Sequence, residues 1–278
     1  MSLYRARPED GVAWITGAST GIGRQVAIDL ARAGYIVAAT ARDDDKLEEV
    51  AEAAIKAGTR GRIVPMACDV KDTAAMERTV DRIEGELGPI VLAIFNAGTY
   101  SPTLGERLEV ENFHGTFTVN LFGVVNGLVP VSDRMRERGH GQIAITGSVT
   151  AYFGLPSAAA YGATKAALNS MARSLKYDFD KLNIRIQVFN PGFVDTPLTK
   201  KNKFAMPALM KVEDAGARYV EGLKTGGFEV SFPRRLSYVL KAFGYLPDSL
   251  YYRLVRRVTG WDERRVASGK DKRRVVSR

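Results

Sequence analysis

The chain has 278 residues, 45% of them hydrophobic and 26% charged, with a formal net charge of +9. That balance belongs to an ordinary globular protein and excludes disordered and collagen-like chains. Cys68 is the only cysteine, which excludes an internal disulfide, and no window reaches the roughly 18 uninterrupted apolar residues of a spanning helix. The opening MSLYRARPED lacks the apolar core of a secretory signal, so the expected location is cytoplasmic. Short runs rich in Val, Ile and Ala follow at 12–16, 36–40, 62–67, 90–95, 142–146, 184–190 and 228–232. Between them, 23–33, 44–57, 73–87, 110–138 and 157–182 carry apolar residues at helical spacing. Continuous apolar strands separated by amphipathic helices are the pattern of a parallel sheet covered on both faces. The expected fold is α/β: a doubly wound, Rossmann-type parallel sheet in one domain, 11–232, with a helical extension over 233–278. Pro130, which has no N–H to give, is expected to break or kink the 110–138 helix.

The first strand runs into T16-G-A-S-T-G-I-G23 and then directly into a helix. Glycines at 17, 21 and 23 allow a sharp turn, close approach to a pyrophosphate and tight helix packing. The helix N-terminus adds N–H groups and a dipole that favours anions. A purely structural turn would look similar, but the strand-turn-helix context is the one dinucleotide binding requires. The second strand ends T40-A-R-D43. NAD enzymes place an acid there for the ribose 2′-hydroxyl, whereas Ala41 stands at that position and Arg42 follows. A planar guanidinium suits a 2′-phosphate, so NADP(H) is the expected cofactor. A solvated Arg beside the acidic run 43–45 is the other reading.

In Y161-G-A-T-K165 a phenol and an ammonium stand four apart, hence on one face if the segment is helical. A nearby cation favours phenolate, so Lys165 is expected to draw the Tyr161 pKa down from about 10. Reaching pH 7 would take roughly 4 kcal/mol of differential stabilisation. Taken alone, the pentad fits a chance pairing better.

Together TGxxxGxG at 16–23, N96-A-G98, Ser148, YxxxK at 161–165 and P191-G192 resemble the short-chain dehydrogenase/reductase family over about residues 11–230. The resemblance implies that Tyr161 is the proton donor in carbonyl reduction or the base in the reverse reaction. It implies that Lys165 lowers its pKa and holds the nicotinamide ribose, and that Ser148 donates to the substrate oxygen. Asn120, in F117-T-V-N-L-F122, would anchor a water chain to the lysine, although it could equally be a satisfied polar group at a helix kink. Cofactor contacts are implied for Gly17, Ser19, Thr20, Gly21, Ile22 and Gly23 in the turn. They are implied also for Asp69 and Val70 beside the adenine, for Asn96, Ala97 and Gly98, for Pro191 and Gly192, and for Val194 and Thr196 near the carboxamide. Asp69 could instead cap the helix starting near Thr73. The family's habit makes a homo-oligomer the expected assembly, and no metal is implied.

Segments 100–104, 150–155 and 193–210 leave the carboxyl ends of strands and carry Tyr100, Leu104, Tyr152, Phe153, Leu155, Leu198, Phe204, Met206, Leu209 and Met210. They read either as an apolar pocket with a mobile cover over 196–210 or as ordinary loop packing. The pocket reading gives a hydrophobic, lipid-like ketone, aldehyde or alcohol as substrate.

Residues 233–278 hold 13 Lys or Arg against 4 Asp or Glu, while 1–232 balance at 27 against 27, so all the excess charge sits in the tail. There Leu236, Val239, Leu240 and Phe243, then Leu250, Leu254 and Val258, fall at helical spacing on either side of Pro247. Two short basic helices fit a pair docked on the domain or a subunit; they also fit peripheral contact with an anionic membrane. The run 268–278 reads as disordered and basic; lacking interleaved aromatics, it makes nucleic acid an unlikely partner. A noncatalytic NADP(H)-binding sensor or scaffold is the competing function, but it does not require a proton donor.

Overall fold

The computed structural model describes residues 3–201, 206 and 208–264. Seven strands, β1 (Val12–Thr16), β2 (Ile36–Ala41), β3 (Arg62–Ala67), β4 (Ile90–Phe95), β5 (Gly141–Thr146), β6 (Ile184–Pro191) and β7 (Glu229–Phe232), form one sheet in the order β3-β2-β1-β4-β5-β6-β7. All six pairings are parallel. Helices α1 (Gly21–Arg32), α2 (Asp44–Lys56), α3 (Thr73–Glu86), α4 (Val110–Phe117), α5 (Gly123–Arg138), α6 (Ala159–Lys181) and α7 (Val212–Thr225) make the crossovers.

Alternate strand residues point to opposite faces, and both faces are covered. Ala13, Ile15, Val37 and Ile94 join one core with Val26, Leu47 and Tyr219, whereas Val12, Trp14, Ala38 and Phe95 join the other with Met76, Leu128 and Leu168. Trp14, wholly buried, satisfies its indole N–H on Thr40 Oγ1 at 3.1 Å. Asp43 and Asp72 cap α2 and α3 by accepting from the Lys46 and Ala75 amides. The chain leaves β3 to begin again beside β1, so the strand order reverses between β1 and β4. The crevice at their carboxyl ends is where such sheets bind ligands.

Of the two outcomes expected at Pro130, the break does not occur: the proline lies inside α5. A missing interior hydrogen bond costs about 3 kcal/mol. Burial of Val124, Leu128, Val131 and Met135 contributes roughly 1.5–3 kcal/mol for each large apolar side chain and outweighs it. The same burial makes this a core helix, although the whole stretch Val110–Arg138 is long and apolar enough to cross a membrane by composition. The irregularity falls instead at Thr118–Phe122, a π-helical turn that carries Asn120.

The extension forms α8 (Arg234–Phe243) and α9 (Asp248–Thr259), docked beside the segment that follows β5. Phe153 meets Phe243 at 6.3 Å and Tyr251 at 5.6 Å between ring centroids, and the Tyr251 hydroxyl donates to the Gly154 carbonyl. Arg264 pairs with Glu106. The docked face of α9 is Tyr251 and Val255 with half-buried Leu254 beside them, and a tyrosine can both pack and hydrogen-bond there. Leu250, Val258 and, on α8, Val239 are exposed. Phe204 and the run 268–278 lie outside the described residues.

Candidate active site

The glycine turn is built for close approach. Gly17 and Gly21 have φ of +67° and +56°, a region that disfavours side chains. A Cβ on Gly23 would stand 2.2 Å from Gly17 O and 2.4 Å from Asn96 Nδ2. Asn96 donates through that nitrogen to Thr16 O and Gly17 O at 3.3 and 3.2 Å, pinning the turn to the end of β4. Thr20 makes no capping bond at the start of α1, so its side chain leaves the first-turn N–H groups available to an anion. Across the crevice, Thr196 Cγ2 would touch a Cβ on Gly21 at 3.2 Å. Val194 bridges Met210, which closes the base of the segment carrying Thr196.

One cleft of about 2620 Å³, open to solvent, is lined by every cofactor residue expected from the sequence except Gly23, which packs behind the turn. Arg42 is exposed at its edge. Its neighbour Asp43 also lines the cleft, but it caps α2 and pairs with Lys46, whose side chain holds its carboxyl below the usual range. Asp69 does not cap α3, since Asp72 does. It accepts from the Lys71 amide at 3.0 Å and pairs with the Lys71 ammonium at 3.3 Å. Val70 is fixed by its carbonyl, which accepts from Asn126 Nδ2 at 2.9 Å.

Ser148, Tyr161 and Lys165 face this same cleft. Tyr161 and Lys165 lie on the first turns of α6, with Lys165 Nζ 5.6 Å from the Tyr161 ring centroid. The phenol is not drawn down. Burial pushes it up to about 12, the hydrogen bond with Ser148 acting in the other direction and nearby Tyr100 adding to the rise. Lys165 directs its ammonium to the Thr146 carbonyl at 2.8 Å, and burial lowers its own pKa to about 8. Desolvation therefore outweighs the pairing that the four-residue spacing suggests.

Asn120 is wholly buried. Its Oδ1 accepts from the Thr99 amide at 2.7 Å, while Nδ2 donates to Thr99 O at 3.0 Å and Thr164 Oγ1 at 3.2 Å. Both amide hydrogens are thus spent, one on the Thr99 backbone and one on the Thr164 hydroxyl of α6. A relay through this side chain would have only the second lone pair of Oδ1. Thr146 and Tyr219 were not legible as site residues. Tyr219, on α7, meets Thr146 Oγ1 at 2.9 Å and stacks on Phe189 at 3.9 Å, so it holds the strand end whose carbonyl receives Lys165.

Comparison with known proteins places this geometry. A family model described as short chain dehydrogenase matches residues 11–206. The chain belongs to the short-chain dehydrogenase family. This short-chain dehydrogenase is 34% identical to an uncharacterized oxidoreductase of Myxococcus xanthus over 246 residues, 88% of this chain and 96% of the relative. That share exceeds residues 1–232, so the likeness reaches into the extension. It is 37% identical to the 2,3-dihydro-2,3-dihydroxybenzoate dehydrogenase of Bacillus subtilis over 190 residues, 68% of this chain and 72% of the relative. A short chain dehydrogenase from Burkholderia cenocepacia, solved in complex with NADP, superposes with a TM-score of 0.75 at 25% identity, covering 88% of this chain and 97% of the other. The protein is therefore an oxidoreductase that interconverts a carbonyl and an alcohol with a nicotinamide cofactor. The glycine cradle and uncapped α1 fit the pyrophosphate of such a cofactor.

Proposed function

We propose that this chain is an NADPH-dependent reductase of a hydrophobic, lipid-like ketone or aldehyde. The observation that carries this is the Ser148–Tyr161 pair at a partly open, mainly apolar pocket walled by Tyr100, Val149, Leu155, Pro156, Phe193 and Leu198. Such a wall favours an apolar substrate, and Ser148 and Tyr161 present a hydroxyl pair that can orient a carbonyl. Bound NADPH supplies the hydride. Ser148 donates to the carbonyl oxygen, and Tyr161 delivers the proton to that oxygen as negative charge develops on it. A phenol at about 12 is protonated throughout the neutral range, the state that reduction requires of its donor. Lys165 and Asn120 hold the walls of the site through Thr146 and Thr99. NADPH oxidation should be measured across carbonyls from small aldehydes to long-chain ketones, with rates expected to rise with apolar length. NADPH binding without turnover on any of them would favour the noncatalytic sensor.

The NADPH preference rests on exposed Arg42 and on Asp43 being engaged with α2. Arg42→Ala is expected to weaken NADPH about tenfold, one charge-assisted phosphate contact, while NADH is little affected. Undiminished preference for NADPH in a titration of both cofactors would remove the assignment.

Peripheral contact with an anionic bilayer is the partner reading for the outward faces of α8 and α9. Tyr238, Tyr245, Tyr252 and Val258 are exposed there, with Arg234, Arg235, Arg253 and Arg257 among them. Each basic residue near such a surface contributes about 1 kcal/mol, so Arg253→Glu/Arg257→Glu should reduce sedimentation with anionic liposomes more than tenfold. Equal binding by the charge-reversed and unaltered chains dismisses this contact.

A further inference from the structure

A serine at the end of β5 needs its backbone held if its hydroxyl is to meet a carbonyl at a fixed place. The Ser148 amide donates to Asn190 Oδ1 at 2.9 Å, and Asn190, in β6, is wholly buried. Asn190 Nδ2 donates to Asn169 Oδ1 at 2.9 Å and to Glu229 Oε1 at 3.0 Å. Asn169, in α6, returns a bond to Asn190 Oδ1 at 3.2 Å and gives another to the Lys165 carbonyl at 2.9 Å. Gly147 makes this possible: a Cβ there would lie 2.1 Å from Asn190 Oδ1 and 2.8 Å from Asn169 Nδ2.

Glu229, at the start of β7, carries the charge of the cluster. Its Oε1 also accepts from the Tyr152 hydroxyl and from Lys241 Nζ, the latter at 3.0 Å, while Arg173 stands 3.6 Å from Oε2. Lys241 belongs to α8 and lies over the Tyr152 ring at 5.2 Å. Burial would raise the Glu229 pKa, but the bonds from Tyr152, Asn190 and Lys241 hold it below the usual carboxylate range.

We infer that the C-terminal extension is part of the catalytic apparatus: Lys241, through Glu229, fixes the orientation of the buried Asn190 amide, which positions Ser148 and, by way of Asn169, Lys165. The logic is one of donors and acceptors. An ionised Glu229 can only accept, so it demands the NH2 end of Asn190 and leaves Oδ1 for the Ser148 amide. Without Lys241 the half-buried carboxylate keeps only Arg173, on its other oxygen, which is costly. A protonated or displaced Glu229 no longer backs the Ser148 N–H in setting which way Asn190 faces, and a flipped amide would set NH2 against that N–H. Glu229 and Lys241 line neither the cofactor cleft nor the apolar pocket, so they are positioning residues.

This inference rests on the reductase reading, and its test separates the two. Lys241→Met and Lys241→Arg are compared with the unaltered full-length chain and with Lys56→Met, on the exposed surface of α2. Three quantities are read: turnover on the best carbonyl of the panel, NADPH affinity by fluorescence, and amide hydrogen exchange over 147–155. Lys241→Met should lower kcat about tenfold, the scale of one charge-assisted hydrogen bond, with NADPH affinity unchanged and exchange faster. Lys241→Arg should restore kcat to within about twofold, because it keeps both charge and donor. Wild-type kcat and exchange in Lys241→Met, or no rescue by arginine, overturns the inference. If the unaltered chain reduces no carbonyl yet exchange responds as stated, the reductase reading falls and the coupling of α8 to Ser148 stands.

Discussion

Tyr161→Phe is expected to bind NADPH with unaltered affinity and to reduce carbonyls about 10³-fold more slowly, the scale of a lost general acid. The ring is held edge-on by Tyr100, 5.5 Å away at 76°, and by Lys165 over its other flank. Phenylalanine fills the same space, so the fold and the cofactor cleft stay as they are. What disappears is the hydroxyl beside Ser148 and the proton it carries. The raised pKa sharpens this: a donor protonated at every neutral pH cannot be replaced by adjusting the buffer. Titration of the cofactor and single-turnover hydride transfer measure the two halves separately. Substantial residual reduction with normal NADPH binding would show that the proton comes from elsewhere.

Much of the sheet was legible because buried parallel strands are continuous runs of Val, Ile and Ala. The segments 62–67 and 90–95 coincide with β3 and β4 for that reason. Helix α7 is not among the stretches that periodicity picks out, and its glycines explain why. Gly216 lies against Gln25 of α1 and Gly222 against Phe189 and Val230, where a Cβ would approach to 2.5 and 2.7 Å. Glycine weakens a helix by about 1 kcal/mol relative to alanine, so packing and local propensity disagree over this helix.

The site divides in the same way. Tyr161 and Lys165 announce themselves because one helix carries both, but their electrostatics did not follow from spacing: desolvation, invisible in sequence, decides both pKa values. Asn169, Asn190 and Glu229 have no mutual spacing to read. Strand order brings Asn190 of β6 and Glu229 of β7 together beside β5, and the packing of α6 on β6 adds Asn169. In the extension, counting aliphatic residues did not find the tyrosine that docks α9, because its hydroxyl as well as its ring makes the contact.

Lys165→Met is expected to make the protein more stable at pH 7, and the gain should fade as the pH rises. Lys165 is 3% exposed and its pKa falls to about 8 from 10.5. Between those values the unfolded chain holds the proton that the folded chain has released, so the unfolded state binds more protons and wild-type stability rises with pH. Below about pH 8 the full cost of burying the ammonium is present. A difference of about 2.5 pH units corresponds to roughly 3 kcal/mol. Methionine keeps the length of the side chain without the charge, and it forfeits the bond to the Thr146 carbonyl, worth about 1 kcal/mol. The net gain at pH 7 is then about 2 kcal/mol by the same reckoning, vanishing and reversing sign as the pH passes through the window up to 10.5. Urea unfolding of both proteins across that range measures it, and the buried tyrosines, common to both, cancel in the comparison. A variant less stable at pH 7, by an amount that does not change with pH, would mean that Lys165 is not desolvated as described.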